Sequence, residues 1–174
     1  MNKLNLKSLM LILVFGFGFA LTGCENDPCE DVVCQNGGLA TEVGDDDCEC
    51  DCAAGYEGEE CATVSADKFV GMFEGSDDCT GASYPVEITK SGTDETIIRI
   101  ENLGEFTCPN DYNVEASVDG NTLTIAEQTF CTNIYTLSGS GSIEGNTLTI
   151  EYTVSYDDGG TIVTETCEVI MLRQ

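Results

Sequence analysis

The chain has 174 residues, with 32 acidic against six basic side chains and a formal net charge of −26 at pH 7. That balance excludes nucleic acid as a partner, because such binding rests on neutralising phosphates with Lys and Arg, and it disfavours an anionic bilayer surface for the same reason. Histidine and tryptophan are absent, which removes Ser-His-Asp and Cys-His catalysis together with His-ligated metal sites.

The first element is a leader. Lys3 and Lys7 precede a stretch, 9–21, that carries no charge. It is too short for the ~20 apolar residues of a spanning helix and reads as a secretory signal. It ends on Leu21-Thr22-Gly23-Cys24. These four residues resemble the lipobox of bacterial lipoproteins. The resemblance implies removal of a signal peptide 1–23, diacylglycerol on the Cys24 sulfur, and residues 24–28 as a lipidated tether to a bilayer. The other reading is an ordinary signal peptide cut near Ala20, with Cys24 left for a disulfide. Stable anchoring takes more than one acyl chain, which acylation of the freed amine supplies. Glu25, Asp27, Glu30 and Asp31 follow closely. They resemble the surface-export signal of some Gram-negative lipoproteins, which implies an outer-membrane, surface-exposed location. From Cys24 onward only Lys68, Lys90, Arg99 and Arg173 oppose all 32 acidic residues, a side-chain charge of −28.

With Cys24 set aside, ten cysteines remain. An even number in an exported chain favours complete pairing, and the same oxidising export disfavours thiolate metal binding by Cys48-x-Cys50-x-Cys52. Six of the ten crowd into 29–61, a segment too small to bury its own core, so crosslinks must replace one. Six cysteines alone leave fifteen connectivities. The run Cys29-x4-Cys34 is followed by Asn36-Gly37-Gly38 and by Cys48-x-Cys50-x-Cys52. The segment closes on Cys52-Ala53-Ala54-Gly55-Tyr56-Glu57-Gly58-Glu59-Glu60-Cys61. This spacing resembles an epidermal-growth-factor-like (EGF-like) module. The resemblance implies the pairs Cys29–Cys48, Cys34–Cys50 and Cys52–Cys61. The chain departs from the family in placing Leu39-Ala40 after the Gly pair, where members often have the third Cys. Calcium-binding members carry an acidic or amide residue just before the first Cys. Pro28 stands there in this chain, which leaves Asn26 and Asp27 as the calcium candidates. Acidic runs such as Asp45-Asp46-Asp47 make calcium the one cofactor to consider. A composition shift makes 62–67 a linker.

Residues 68–174 read as strands separated by Gly, Asp, Asn and Ser. The signals fall at 68–76, 83–90, 95–102, 112–119, 121–127, 134–143, 146–156 and 161–172. Leu148, Ile150, Tyr152, Val154 and Tyr156 share one face of the seventh, opposite Thr147, Thr149, Glu151, Thr153 and Ser155, the pattern of a half-buried antiparallel strand. Asp119-Gly120-Asn121, Glu144-Gly145-Asn146 and Asp158-Gly159-Gly160 are hairpin turns. Eight such strands close into an up-and-down β-barrel or fold as a β-sandwich, and the short hairpins favour the barrel. The opening Lys68-Phe69-Val70-Gly71-Met72-Phe73-Glu74-Gly75, the repeated Gly-Asn-Thr-Leu-Thr-Ile and the final strand resemble lipocalin-like (calycin-type) domains of small bacterial lipoproteins. Lipocalins usually place Trp where Met72-Phe73 stand. An outer-membrane barrel is excluded, because the outward faces are Thr, Ser and Glu. Four cysteines allow three connectivities. In an up-and-down barrel the first and last strands pair, which brings Cys79 toward Cys167 and leaves Cys108 to Cys131.

The expected fold is therefore all-β: a small disulfide-rich EGF-like module, then an eight-stranded antiparallel barrel over 68–174. Arg99, in Ile97-Ile98-Arg99-Ile100, either points outward and pairs with a neighbouring Glu, or points inward toward an anionic ligand head group. No catalytic set stands out, and the expected function is non-enzymatic. An anchored surface lipoprotein presents its barrel on the EGF-like stalk to a protein or glycan partner. The alternative is a carrier of a small apolar ligand, although Phe69, Phe73, Tyr152 and Tyr156 are candidates to fill the interior of so small a barrel. A hydrolase built on two carboxylates comes last.

Overall fold

The computed structural model describes residues 27–44, 46–106, 108 and 112–174. The lipobox with Cys24, and Asn26, lie outside them. From residue 27 large apolar side chains are scarce, and disulfides take the place of a core. Strands β1 (Leu39–Val43) and β2 (Asp47–Asp51) pair antiparallel from Leu39 opposite Asp51 to Val43 opposite Asp47. Every residue of β1 is exposed, so little but the crosslinks Cys29–Cys48, Cys34–Cys50 and Cys52–Cys61 holds the segment. Strand β3 (Tyr56–Glu57) pairs with β4 (Thr63–Val64). The interval 62–67, expected as a linker, thus holds a strand and most of a 3-10 turn over Ser65–Lys68. Ser65 and Ala66 are fully buried, because this turn seats on the end of the barrel that follows.

The barrel strands are β5 (Gly71–Asp77), β6 (Ser83–Lys90), β7 (Ile97–Glu101), β8 (Asn113–Asp119), β9 (Thr122–Phe130), β10 (Tyr135–Glu144), β11 (Thr147–Asp158) and β12 (Thr161–Arg173). Each pairs antiparallel with its neighbours in the chain, and β12 closes on β5 from Val169 opposite Asp77 to Arg173 opposite Phe73. The alternation predicted for β11 is realised: Leu148, Ile150, Tyr152 and Val154 are buried. Inside the barrel, Phe73, Val86, Ile88, Ile98, Ile100, Val114, Leu123, Ile125, Leu137, Leu148, Ile150, Val169 and Met171 each expose at most 2 % of their surface, so side chains fill the interior. Phe69, Phe73 and Tyr152 belong to that core, whereas Tyr156 is half-buried at the rim.

The two ends of the barrel differ. At the near end, where the chain enters, Arg173 lies 4.6 Å over the Phe73 ring. Its guanidinium donates to the carbonyls of Val70 and Lys68. Residues 68–70 are not part of β5 as the sequence pattern suggested, because Lys68 closes the 3-10 turn and Phe69 keeps a helical backbone. Lys68 bridges Glu57 at 2.6 Å and Asn121 at 2.7 Å, and Lys90 pairs with Asp67. Three of the four basic residues after Cys24 are therefore spent at this end. The disulfide-bonded region docks here too: Gly55 N–H donates to Asp119 Oδ1 at 3.2 Å, and Tyr56 Oη to Glu95 at 3.1 Å.

Candidate functional site

The far end is built from the top of the core outward. Tyr84 on β6 and Tyr152 on β11 point inward, each at most 2 % exposed. Glycine leaves Tyr152 its space: a Cβ at Gly139 would lie 2.9 Å from Tyr152 Cβ. Both hydroxyls converge on Asp77 Oδ2, Tyr152 at 2.5 Å and Tyr84 at 3.2 Å. Asp77 Oδ1 accepts the N–H groups of Cys79 at 2.9 Å and Thr80 at 3.2 Å. A buried carboxylate is tolerable when its oxygens are so fully occupied. Desolvation raises the pKa of both phenols well above the ordinary tyrosine range.

A plug closes this end. Residues Leu103–Glu105 form a short 3-10 turn with Leu103 and Gly104 buried. Gly104 N–H donates to Tyr84 Oη at 2.9 Å. Only glycine fits: φ is +78°, and a Cβ would lie 2.4 Å from the Phe106 ring. Tyr112 Oη donates to Leu103 O at 2.6 Å and accepts from Phe106 N–H at 3.0 Å. Burial pushes the Tyr112 phenol up to about 12.

Around the plug the rings form a continuous cluster. Phe106 contacts Tyr152 at 6.4 Å, Phe130 at 5.2 Å and Tyr135 at 5.0 Å between centroids. Phe130 stacks on Tyr112 at 5.0 Å and on Tyr135 at 5.4 Å, and Tyr135 meets Tyr156 edge-on at 5.7 Å. Phe106, Tyr112, Tyr135 and Tyr156 are half-buried, so the cluster runs from the core to solvent. Disulfides Cys108–Cys131 and Cys79–Cys167 tie the surrounding loops. Left-handed backbone at Asn102, Glu105, Cys131, Thr132 and Asn133 is concentrated in the same loops, the kind of strain that collects at functional sites.

Strands β11 and β12 project past the rim. Register places Tyr156 opposite Val163, and Val154 opposite Glu165. Glu165 therefore shares the face of Cys167, Val169 and Met171, the inward face, and Asp158 shares that of Tyr152, Val154 and Tyr156. Glu165 first, then desolvation, then Asp158 hold the Tyr156 phenol above its ordinary range. No Lys or Arg occurs in 77–82, 101–113, 130–135 or 157–166.

The remaining expected sites are placed as follows. Arg99 lies on the outer face between buried Ile98 and Ile100 and pairs with Glu115 at 3.1 Å. This corrects the inward reading, because strand alternation sends it away from the core. Asp27 Oδ1 accepts Cys29 N–H at 2.8 Å in an exposed turn. The metal-type cluster among the described residues is Asp77, Asp78, Cys79 and Cys167, but its cysteines are bonded to each other, which leaves two carboxylates. Among the described residues the buried carboxylate is Asp77. Sequence reasoning passed over Asp77, Tyr84, Phe106, Tyr112, Phe130 and Tyr135. The signal available was the flanking of Cys108 and Cys131 by aromatic residues on both sides.

No protein-family model and no curated protein matches this chain. Among solved structures it is similar to the crystal structure of a rhizavidin–biotin complex, at 11 % identity over 60 % of this chain and 92 % of that one, with a TM-score of 0.41.

Proposed function

We propose that the protein is a non-catalytic, small-ligand-binding barrel held at a membrane by lipid on Cys24, with the far end as its binding face. The carrying observation is the half-buried ring cluster at the end opposite the docked disulfide-bonded region. A ligand at this barrel sits on the rim or displaces the plug at 103–106, since the interior beneath is filled with side chains. The three disulfides within 29–61 support the EGF-like reading of that region as a spacer. The acidic residues after Cys24 support display on the outer surface, where a protein or glycan partner would also reach the rim. Native mass spectrometry of the lipidated protein from its own cells tests the ligand reading. A small-molecule mass lost on denaturation is expected; the bare lipidated chain from every growth condition overturns it. Labelling with alkyne-tagged palmitate tests the anchor. The wild type is expected to label and Cys24→Ala not to, and equal labelling of both overturns it.

A further inference from the structure

Strand β12 is 13 residues long, but only 169–173 pair with β5. Two main-chain bonds fix which way each residue of β12 points. Arg173 N–H donates to Asn146 O, just ahead of β11, and Gln174 N–H donates to Met72 O on β5. In an antiparallel ladder the N–H and C=O of one residue face the same neighbour, and successive residues face opposite neighbours. Odd-numbered residues of β12 therefore bond to β11, and even-numbered ones face the β5 side. Toward the far rim, Glu168 still has a partner there: its carbonyl accepts Asp78 N–H at 3.0 Å, and its N–H donates to Asp78 Oδ1 at 2.7 Å. The turn after β5, pinned by Cys79–Cys167, covers Thr166, whose carbonyl lies 3.6 Å from Cys79 Sγ. Ile162 and Thr164 come next. Both are exposed, and no main-chain bond to their N–H and C=O on this side occurs among the described residues.

This open edge is already shaped for pairing. Thr161-Ile162-Val163-Thr164 is a run of four β-branched residues, which favour extended backbone. Hydroxyl pairs on the outer face, Thr164 with Ser155 at 2.9 Å and Thr166 with Thr153 at 3.2 Å, hold the strand against β11. Edges that stay bare are commonly guarded by Lys, Pro or a covering element. Strand β12 has neither Lys nor Pro, and Ile162 exposes 69 % of its surface. The guard here is negative charge: 77–82 and 157–168 hold six acidic residues and no Lys or Arg. That charge repels a second copy of this chain and attracts a strand of opposite sign. Cross-strand pairing places basic residues well beside Glu165 and β-branched ones beside Ile162 and Thr164. We infer that the open edge of β12, over 161–165, takes up an extended basic segment of a partner protein as an added strand, in the place that β5 leaves empty beyond Asp77. Ile162 and Thr164 exchange main-chain hydrogen bonds with that segment, and Glu165 faces its cations. The inference stands apart from the small-ligand reading and does not depend on it.

The test is hydrogen exchange, read by NMR on the isotopically labelled full chain in neutral detergent. The probe is the peptide acetyl-Lys-Val-Lys-Val-Arg-Val-amide. Its controls are the same peptide with Glu at the three basic positions, and a form N-methylated at every residue. The Ile162 and Thr164 amides should exchange fast alone and about tenfold more slowly with ~5 mM probe, the range in which so short a strand binds. Neither control should slow them. Thr164→Pro removes an N–H that the fold leaves unused, at the kind of edge position where proline is tolerated. It should leave the denaturation midpoint unchanged and abolish the slowing at Ile162, whereas Thr164→Ala keeps the N–H and the slowing. Equal slowing by the acidic peptide overturns the basic partner. Equal slowing by the N-methylated peptide, or in Thr164→Pro, overturns main-chain pairing. Unchanged exchange at Ile162 and Thr164 with the basic probe overturns the inference. Slowing that follows protein concentration without peptide, in step with dimers in sedimentation, overturns it in favour of a second copy. The native mass spectrum decides separately whether a small ligand is carried.

Discussion

Asp77 is the residue on which the far end hangs. Four donors from three parts of the chain meet its two oxygens: the N–H groups of Cys79 and Thr80, and the hydroxyls of Tyr84 and Tyr152. Tyr84 then receives Gly104 N–H, so the plug is held to β5 through one carboxylate. Asp77→Asn turns one acceptor oxygen into a donor facing either hydroxyls or amides. It should cost about 1–3 kcal/mol in urea denaturation, with Asp77→Ala costing more and Asp78→Asn, next to it but exposed, near zero. The phenols give a pH signature. Tyr84 and Tyr152 have folded pKa values raised by desolvation, and Tyr112 is raised to about 12. The native state therefore keeps protons that an unfolded chain releases near pH 10. Their contribution is fully present below about pH 10 and is lost as the pH climbs through the raised values. Denaturation midpoints should hold level to about pH 9 and fall steeply above about pH 10, with a shallower fall in Tyr152→Phe. A midpoint independent of pH across that range would contradict the burial of these hydroxyls.

At the scale of elements, the wall of the barrel has a weak seam. Strands β8 and β9 pair only from Ser117 opposite Thr124 to Asp119 opposite Thr122. Beyond that, Ala126 and Glu127 on β9 face the single residue Ser138 on β10, a bulge that bends β9 away. The Gln128 amide spans the gap as a substitute peptide group. Its Oε1 accepts Glu115 N–H at 2.9 Å, and its Nε2 donates to Glu115 O at 2.8 Å and Ala126 O at 3.2 Å. Gln128→Ala should lower stability by about 1–2 kcal/mol and speed hydrogen exchange at the Glu115 amide selectively; unchanged exchange there would show that the seam closes without it. Elements of this kind mark the limit of what sequence made legible. Strands β6, β11 and β12 could be read because alternation and turn chemistry are local, and eight half-apolar strands left a barrel or a sandwich, between which the short hairpins favoured the barrel. The seam could not be read, because Gln128 is legible only beside Glu115. Nor could the plug, whose Leu103-Gly104 owes its burial to Tyr84 and Tyr152 far along the chain. Residues 68–70 read like a strand, yet Lys68 closes a 3-10 turn, Phe69 is helical, and Arg173, from the other end of the chain, holds the carbonyls of Lys68 and Val70. Arg99 was ambiguous until its outward register with Glu115 was known.

The whole molecule is polar in both senses. Lys68, Lys90 and Arg173 gather at the end where the chain enters, and the ring cluster from Phe106 to Tyr156 lies at the other. Such a layout presents a fixed face only if the disulfide-bonded region and the barrel move together. The contacts at the near end say that they do. Gly55 is buried, with its N–H on Asp119 and its carbonyl receiving Ser65 N–H at 2.8 Å. Lys68 ties Glu57 to Asn121 across the same junction. Gly55 is also a position that has no room for a side chain. Its φ is +87°, and a Cβ would lie 2.6 Å from Thr96 Cβ, a clash added to the ~1–2 kcal/mol of a left-handed L-residue. Nitrogen-15 relaxation should therefore give one rotational correlation time for residues 34–61 and 71–173 in the wild type. Gly55→Ala should shorten it for 34–61 while the far-ultraviolet spectrum of the barrel is kept, and Asp119→Ala should do so more mildly. Independent tumbling in the wild type would make the region a loose tether. The far rim would then have no fixed direction relative to the disulfide-bonded region, and the separation of cations from the ring cluster would fix no orientation of one region against the other.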